Sequence, residues 1–163
     1  MATQPSVIAG VLLGYEAFLL KRGVSARDLF QRVGICTKAV CNPQIDIPAQ
    51  AVADLWEEAA RVTGEPCLAL DWAEAVPVGA TGPFFYLFLN SNTFGEAMQT
   101  AAQHTALLRQ AVDLKYEADA DGARIWWRWP RGFDGPYTQA SAFSAALFVL
   151  RARLITAPDW TPV

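Results

Sequence analysis

Histidine is nearly missing from this chain, with His104 its only copy, and that narrows the chemistry open to it. Three cysteines, Cys36, Cys41 and Cys67, are an odd number with one histidine beside them. They make a poor basis for a zinc site or a disulfide framework, so no metal or cofactor is expected and the thiols are read as reduced and intracellular. Nucleophilic catalysis needs a base beside the nucleophile, and no Ser or Cys motif surrounds His104. The paired carboxylates Glu57-Glu58 fall on a predicted helix beside Arg61, where a solvated face explains them better than acid–base work does. A phosphate loop is lacking too, because Gly79-Ala80-Thr81-Gly82 has neither the flanking strand nor the lysine. The chain is therefore not expected to be an enzyme. It has no Lys/Arg cluster and a net charge of −3, which excludes a basic nucleic-acid face on this piece. Its longest apolar run, around Ala145 to Leu150, is far below the roughly 18 residues needed to span a bilayer. No basic region and apolar run mark a secretion signal. The expectation is a soluble, cytoplasmic protein with no membrane partner.

What is present is apolar. Hydrophobic residues make up 53% of the 163 positions and charged ones 18%, more apolar surface than a lone domain needs to hide. The excess is expected to meet a ligand, a second copy of the chain, or further chain. Capping signatures, glycine stops and helical spacing predict a first helix over Val7 to Leu20 and a second from Ser25 to Gly34. A loop over Cys36 to Ile47 follows, then a third helix from Pro48 to Gly64 and a short one over Cys67 to Ala75. The run Pro83 to Leu89 is apolar on every side and reads as a short buried helix. The last helix, Tyr137 to Ile155, stacks Phe143, Leu147, Leu150 and Leu154 on one side.

The stretch from Thr93 to Trp129 organises the rest. Thr93 with Glu96 three residues later is a capping box. From Phe94 a stripe of Phe94, Ala97, Ala101, His104 and Leu108 is expected to face a core. The pattern then turns to period two, with Val112, Leu114, Tyr116 and Ala118 alternating with charged residues. Asp121-Gly122 suits a two-residue hairpin turn, which would set Ala118 opposite Ile125, Tyr116 opposite Trp127 and Leu114 opposite Trp129. A one-residue slip would carry the tryptophans to the charged face, so the pattern specifies which face is buried. A lone hairpin is marginal in water, and further strands are expected, from chain beyond Val163 or from a second subunit. The fold class expected is α+β. A helical N-terminal half packs with a C-terminal antiparallel hairpin or small sheet and a final buried helix, all in one domain over residues 1–163.

The capping and loop residues also line up with a known family. Arg22-Gly23-Val24, Val33-Gly34-Ile35, Ile45-Asp46-Ile47-Pro48, Thr63 to Leu70, Gly79-Ala80-Thr81-Gly82 and Ser91 to Ala97 carry the likeness. In their order and spacing the chain resembles the N-terminal regulatory, arabinose-binding-like domain of AraC-type transcriptional regulators. It departs at Asn92, where the family tends to have proline, and at Phe94, where it tends to have leucine. The resemblance implies a sensor that binds a small effector and controls a C-terminal helix-turn-helix unit. No Arg-rich helical pair follows the last helix, so DNA contact is expected only through a domain beyond this chain, which would then be truncated.

The expected ligand site is an aromatic and apolar pocket between the Thr93 helix and the hairpin. Its candidate residues are Phe84, Phe85, Tyr86, His104, Tyr116, Trp127 and Trp129, with Arg109 as anchor for an anionic effector such as an aromatic or aliphatic acid. Nothing in them points to a sugar. The bland reading of the aromatic face is a sheet packed on helices, and that of His104 is a core histidine bonded to a neighbour. Two alternatives remain open: a ligand-free homodimerisation module, and, more weakly, a haem sensor using His104. The chain lacks the Tyr-x-Ser-x-Arg propionate clamp of haem gas sensors.

Overall fold

A computed structural model describes residues 5–80, 82, 85, 86, 89–104, 112–129, 133–135 and 137–162. The chain opens with strand β1 (Ser6–Ile8), which pairs antiparallel with β2 (Asp46–Pro48), Val7 opposite Ile47. A 3-10 turn over Ala9–Leu12 and helix α1 (Tyr15–Leu20) follow. The single helix expected over Val7 to Leu20 is thus three elements. Gly14, at φ 88, adopts a left-handed conformation that no continuous helix contains. Gly10 lies so close to Ala80 that a Cβ there would stand 2.2 Å from its carbonyl oxygen. Glycine is what lets those backbones meet.

Next come α2 (Ala26–Arg32), the single turn α3 (Thr37–Val40), α4 (Ala49–Thr63) and α5 (Leu68–Ala75). The loop expected over Cys36 to Ile47 accordingly holds α3 and part of β2. Its backbone is bonded to the chain's beginning, Ala9 N–H donating to Ile45 O and Gly10 N–H to Pro43 O. Tyr15 and Phe18 pack their rings 4.8 and 5.1 Å from Trp72, whose indole N–H donates to Val11 O. With Leu19, Phe30, Leu55 and Leu68 they form the larger of two cores among the described residues.

Helix α6 (Phe94–Gln103) then packs on a hairpin of β3 (Asp113–Asp119) and β4 (Gly122–Arg128), and α7 (Thr138–Ile155) closes the chain's helical order. The hairpin forms as expected, but of its expected buried face Leu114 alone is buried, Tyr116, Ile125 and Trp127 are half-buried and Ala118 is exposed, and the register differs. Leu114 stands opposite Trp127, Tyr116 opposite Ile125 and Asp119 opposite Gly122. The expected pairs of Ala118 with Ile125, Tyr116 with Trp127 and Leu114 with Trp129 are each displaced by two residues, which preserves the face. The cause is local: the Asp119 carboxylate accepts from the N–H groups of Asp121 and Gly122, so Ala120 and Asp121 form the turn. The other strand pair, β1–β2, is a separate sheet and adds nothing to the hairpin.

Helix α7 is apolar nearly all round because two cores claim it. Ala140, Phe143, Leu147 and Leu150 belong to the larger core, with Phe143 and Trp56 rings 4.5 Å apart. Phe148 and Ile155 belong to the smaller one, built on Ala97, Met98, Ala101 and Leu114. Leu154, expected in the stripe with Phe143, is instead 56% exposed. Among the described residues no helix is long and apolar enough to cross a membrane.

Candidate functional site

Helix α6 is fixed at its start as its sequence foretells. The Thr93 side chain accepts from Glu96 N–H at 3.1 Å, and the Glu96 carboxylate accepts from Asn92 N–H at 3.1 Å. That cap directs Ala97, Met98 and Ala101 at the hairpin, where they and Leu114 are fully buried. The inner end of the helix–hairpin interface is therefore filled by the chain's own side chains. Farther out the cover thins. Phe94, Tyr116, Ile125, Trp127, Phe148 and Ile155 ring the smaller core and are only partly buried. Trp127 lies 5.7 Å from Phe148, joining hairpin to α7. The Tyr116 hydroxyl reaches over Gly95, where a Cβ would stand 3.1 Å from it.

The expected site residues divide among four places. Tyr116 and Trp127 share the half-covered face just described. Trp129 lies past the end of β4 and stacks on Phe133 and Tyr137 at 4.9 and 5.9 Å, against the larger core. Phe85 is buried, while Tyr86 beside it is 60% exposed. His104 does not face a core: α6 stops at Gln103, and the exposed ring places Nδ1 2.9 Å from Thr100 O one turn back. Phe84 and Arg109, and the Leu108 end of the expected stripe, lie outside the described residues. Among the described residues no group of three His, Cys, Asp or Glu side chains could hold a metal ion, and Cys36, Cys41 and Cys67 are free and exposed.

One residue that the sequence did not single out stands beside Phe85. Arg151 of α7 holds its guanidinium 4.5 Å above the Phe85 ring, and its Nη2 is buried with no hydrogen-bond partner among the described residues. Burial pulls its pKa below the ordinary arginine value. Arg22 offers the comparison within the same molecule. Its guanidinium also covers a ring, that of Phe18 at 3.9 Å, but it donates to Glu65 at 2.7 Å and Asp71 at 2.8 Å. The Glu65 hydrogen bond foremost raises Arg22 above its usual value. Arg153, two residues past Arg151, donates to Trp160 O at 3.0 Å. Along the sequence Arg151 and Arg153 are alike, two cations near the end of a helix, and only tertiary placement separates them.

The helical body thus carries an aromatic face half covered at its junction with a hairpin, and a half-buried cation with no counter-ion among the described residues. The chain matches the family described as the arabinose-binding domain of AraC transcription regulator, N-terminal, over residues 23–163, and it belongs to that family. It is thus a regulatory, ligand-sensing domain of a transcription regulator, a family of binding domains and not of enzymes, whose DNA contacts are made through another domain. No curated protein matches the chain.

Proposed function

We propose that this domain senses a small, largely apolar effector at the half-covered face where the β3–β4 hairpin meets α7. The observation that supports this reading is the incomplete burial of Tyr116, Trp127 and Phe148 around an otherwise closed small core. Large rings that a monomer leaves partly wet gain free energy when a ligand covers them. The face offers few polar groups, which suits an aromatic or aliphatic body better than a sugar. Helix α7 provides the readout, because among the described elements it is the one shared by both cores. A ligand that favours one packing of hairpin on α7 shifts the population of that packing, and the shift reaches the helical body through the same helix.

The test is a titration of tryptophan fluorescence against a panel of aromatic and aliphatic metabolites, with Trp127→Ala as control. A saturable change that the variant abolishes is the expected result. A response that survives unchanged in Trp127→Ala would move the effector elsewhere. Homodimerisation is a second reading, favoured by exposed Leu154 on α7. Sedentary monomer mass at all protein concentrations, measured by light scattering, would dismiss it.

A further inference from the structure

We infer that the effector carries a single negative charge, a carboxylate on an apolar body, and that Arg151 is the residue that receives it. The inference rests on the site proposed above and names the chemistry of its ligand. On α7, Arg151 follows Phe148 by three residues and precedes Ile155 by four, so the three side chains share one strip of the helix. Phe148 and Ile155 belong to the smaller core and Phe148 meets Trp127, so the Arg151 position of α7 borders the aromatic face, while its guanidinium lies over the Phe85 ring.

There the group is chemically incomplete. Arg151 is half-buried and its Nη2 fully so; a guanidinium nitrogen out of water is costly unless it is hydrogen-bonded, and the Phe85 ring offsets only part of that cost. Arg22 shows how the same fold completes the same motif: an aromatic ring on one side and carboxylates on the guanidinium edge. At Arg151 the ring is in place and the carboxylate is not supplied by any described residue. Among the described residues the other buried side-chain group without a partner, the Trp56 indole N–H, is neutral and packs on Phe143 inside the larger core, so it calls for no ion. The planar fork of donors on arginine fits a carboxylate two-for-two. Among the described residues Arg151 is the one cation placed beside this face without a carboxylate, and one cation balances one charge, which suits a carboxylate better than a phosphate dianion.

The test uses matched probes that differ in charge alone: octanoate and 4-phenylbutyrate against octanamide and 4-phenylbutanamide. Binding by tryptophan fluorescence and melting temperature are followed for the wild-type chain, Arg151→Met, Arg151→Lys and Trp127→Ala. The acids are expected to bind wild type at least about tenfold more tightly than the amides. Arg151→Met is expected to erase that preference and Arg151→Lys to restore part of it. Without ligand, Arg151→Met should melt at or above the wild-type temperature, since a half-buried charge with no carboxylate partner among the described residues has been removed. A clearly lower melting temperature for the unliganded variant would make Arg151 structural and overturn the inference. Equal binding of acids and amides, both lost in Trp127→Ala, would overturn the anchor and leave the aromatic site standing. Acid binding lost in Arg151→Met but intact in Trp127→Ala would keep the anchor and overturn the aromatic site. No binding of any probe to wild type would overturn both.

Discussion

Gln139, at the start of α7, is 3% exposed and spans two elements. Its Oε1 accepts from Ala69 N–H at 3.0 Å, and its Nε2 donates to Pro66 O at 2.8 Å. Ala69 N–H belongs to the first turn of α5, whose leading amides have no partner within the helix. Gln139→Leu keeps the side-chain bulk and removes both bonds. Ala69 is buried, so its amide would be stranded at a cost of about 1–3 kcal/mol. Pro66 is exposed and its carbonyl regains water, which limits that loss to about 0.5–1.5 kcal/mol. Leucine recovers some apolar burial, leaving a net destabilisation of about 2–3 kcal/mol. For a chain of this length each kcal/mol lowers the melting temperature by about 2–4 °C, so a fall of roughly 5–10 °C is expected. Urea unfolding should show a lower midpoint at unchanged slope. A midpoint shift worth less than about 0.5 kcal/mol, the size of a neutral surface change, would refute the claim that Gln139 fastens α7 to α5.

Three further outcomes are expected. Gly10→Ala would set a Cβ against the backbone oxygens of Ala80 and Pro43, at 2.2 and 3.2 Å, and should destabilise the fold by about 1–3 kcal/mol or more; an unchanged melting temperature would show that these segments part freely. Glu58 is held down to about 2 by its hydrogen bond from Arg61 first and from Arg32 as well. Because the folded value lies below the unfolded one, its contribution is complete above pH 4.5 and fades as pH falls towards 2. The gap in melting temperature between wild type and Glu58→Gln should therefore close over that window, from a surface contribution of no more than about 1 kcal/mol; parallel pH curves would argue against it. Thr93→Ala removes the acceptor for Glu96 N–H and should cost about 1 kcal/mol in chemical unfolding, whereas an unaltered midpoint would mean that Glu96 alone secures the end of α6.

The features legible in the sequence are those decided within a few residues. The Thr93–Glu96 cap, the helices before Gly64 and Ala75, and the alternating hairpin face all depend on neighbours along the chain. The hairpin register escaped because Asp119, outside the expected turn, captures two turn amides and moves the pairing by two residues while leaving the face intact. The opening helix escaped because β1 finds its partner some forty residues later, at Ile47, which no local pattern announces.

The candidate site was legible in its aromatic half and illegible in its charged half, for a physical reason. Tyr116 and Trp127 follow from the period of a strand, which any reader of the sequence can count. Whether Arg151 or Arg153 is completed by a protein oxygen depends on where Trp160 and Phe85 arrive in space. The same placement makes α7 the element through which binding would be felt. Gln139 fastens its first turn to the helical body, and Phe148 and Arg151 stand more than two turns farther on. A ligand seated there would meet α7 at Phe148, beyond the first turn that Gln139 fastens, and would be read out as a change in how the hairpin packs on that ring.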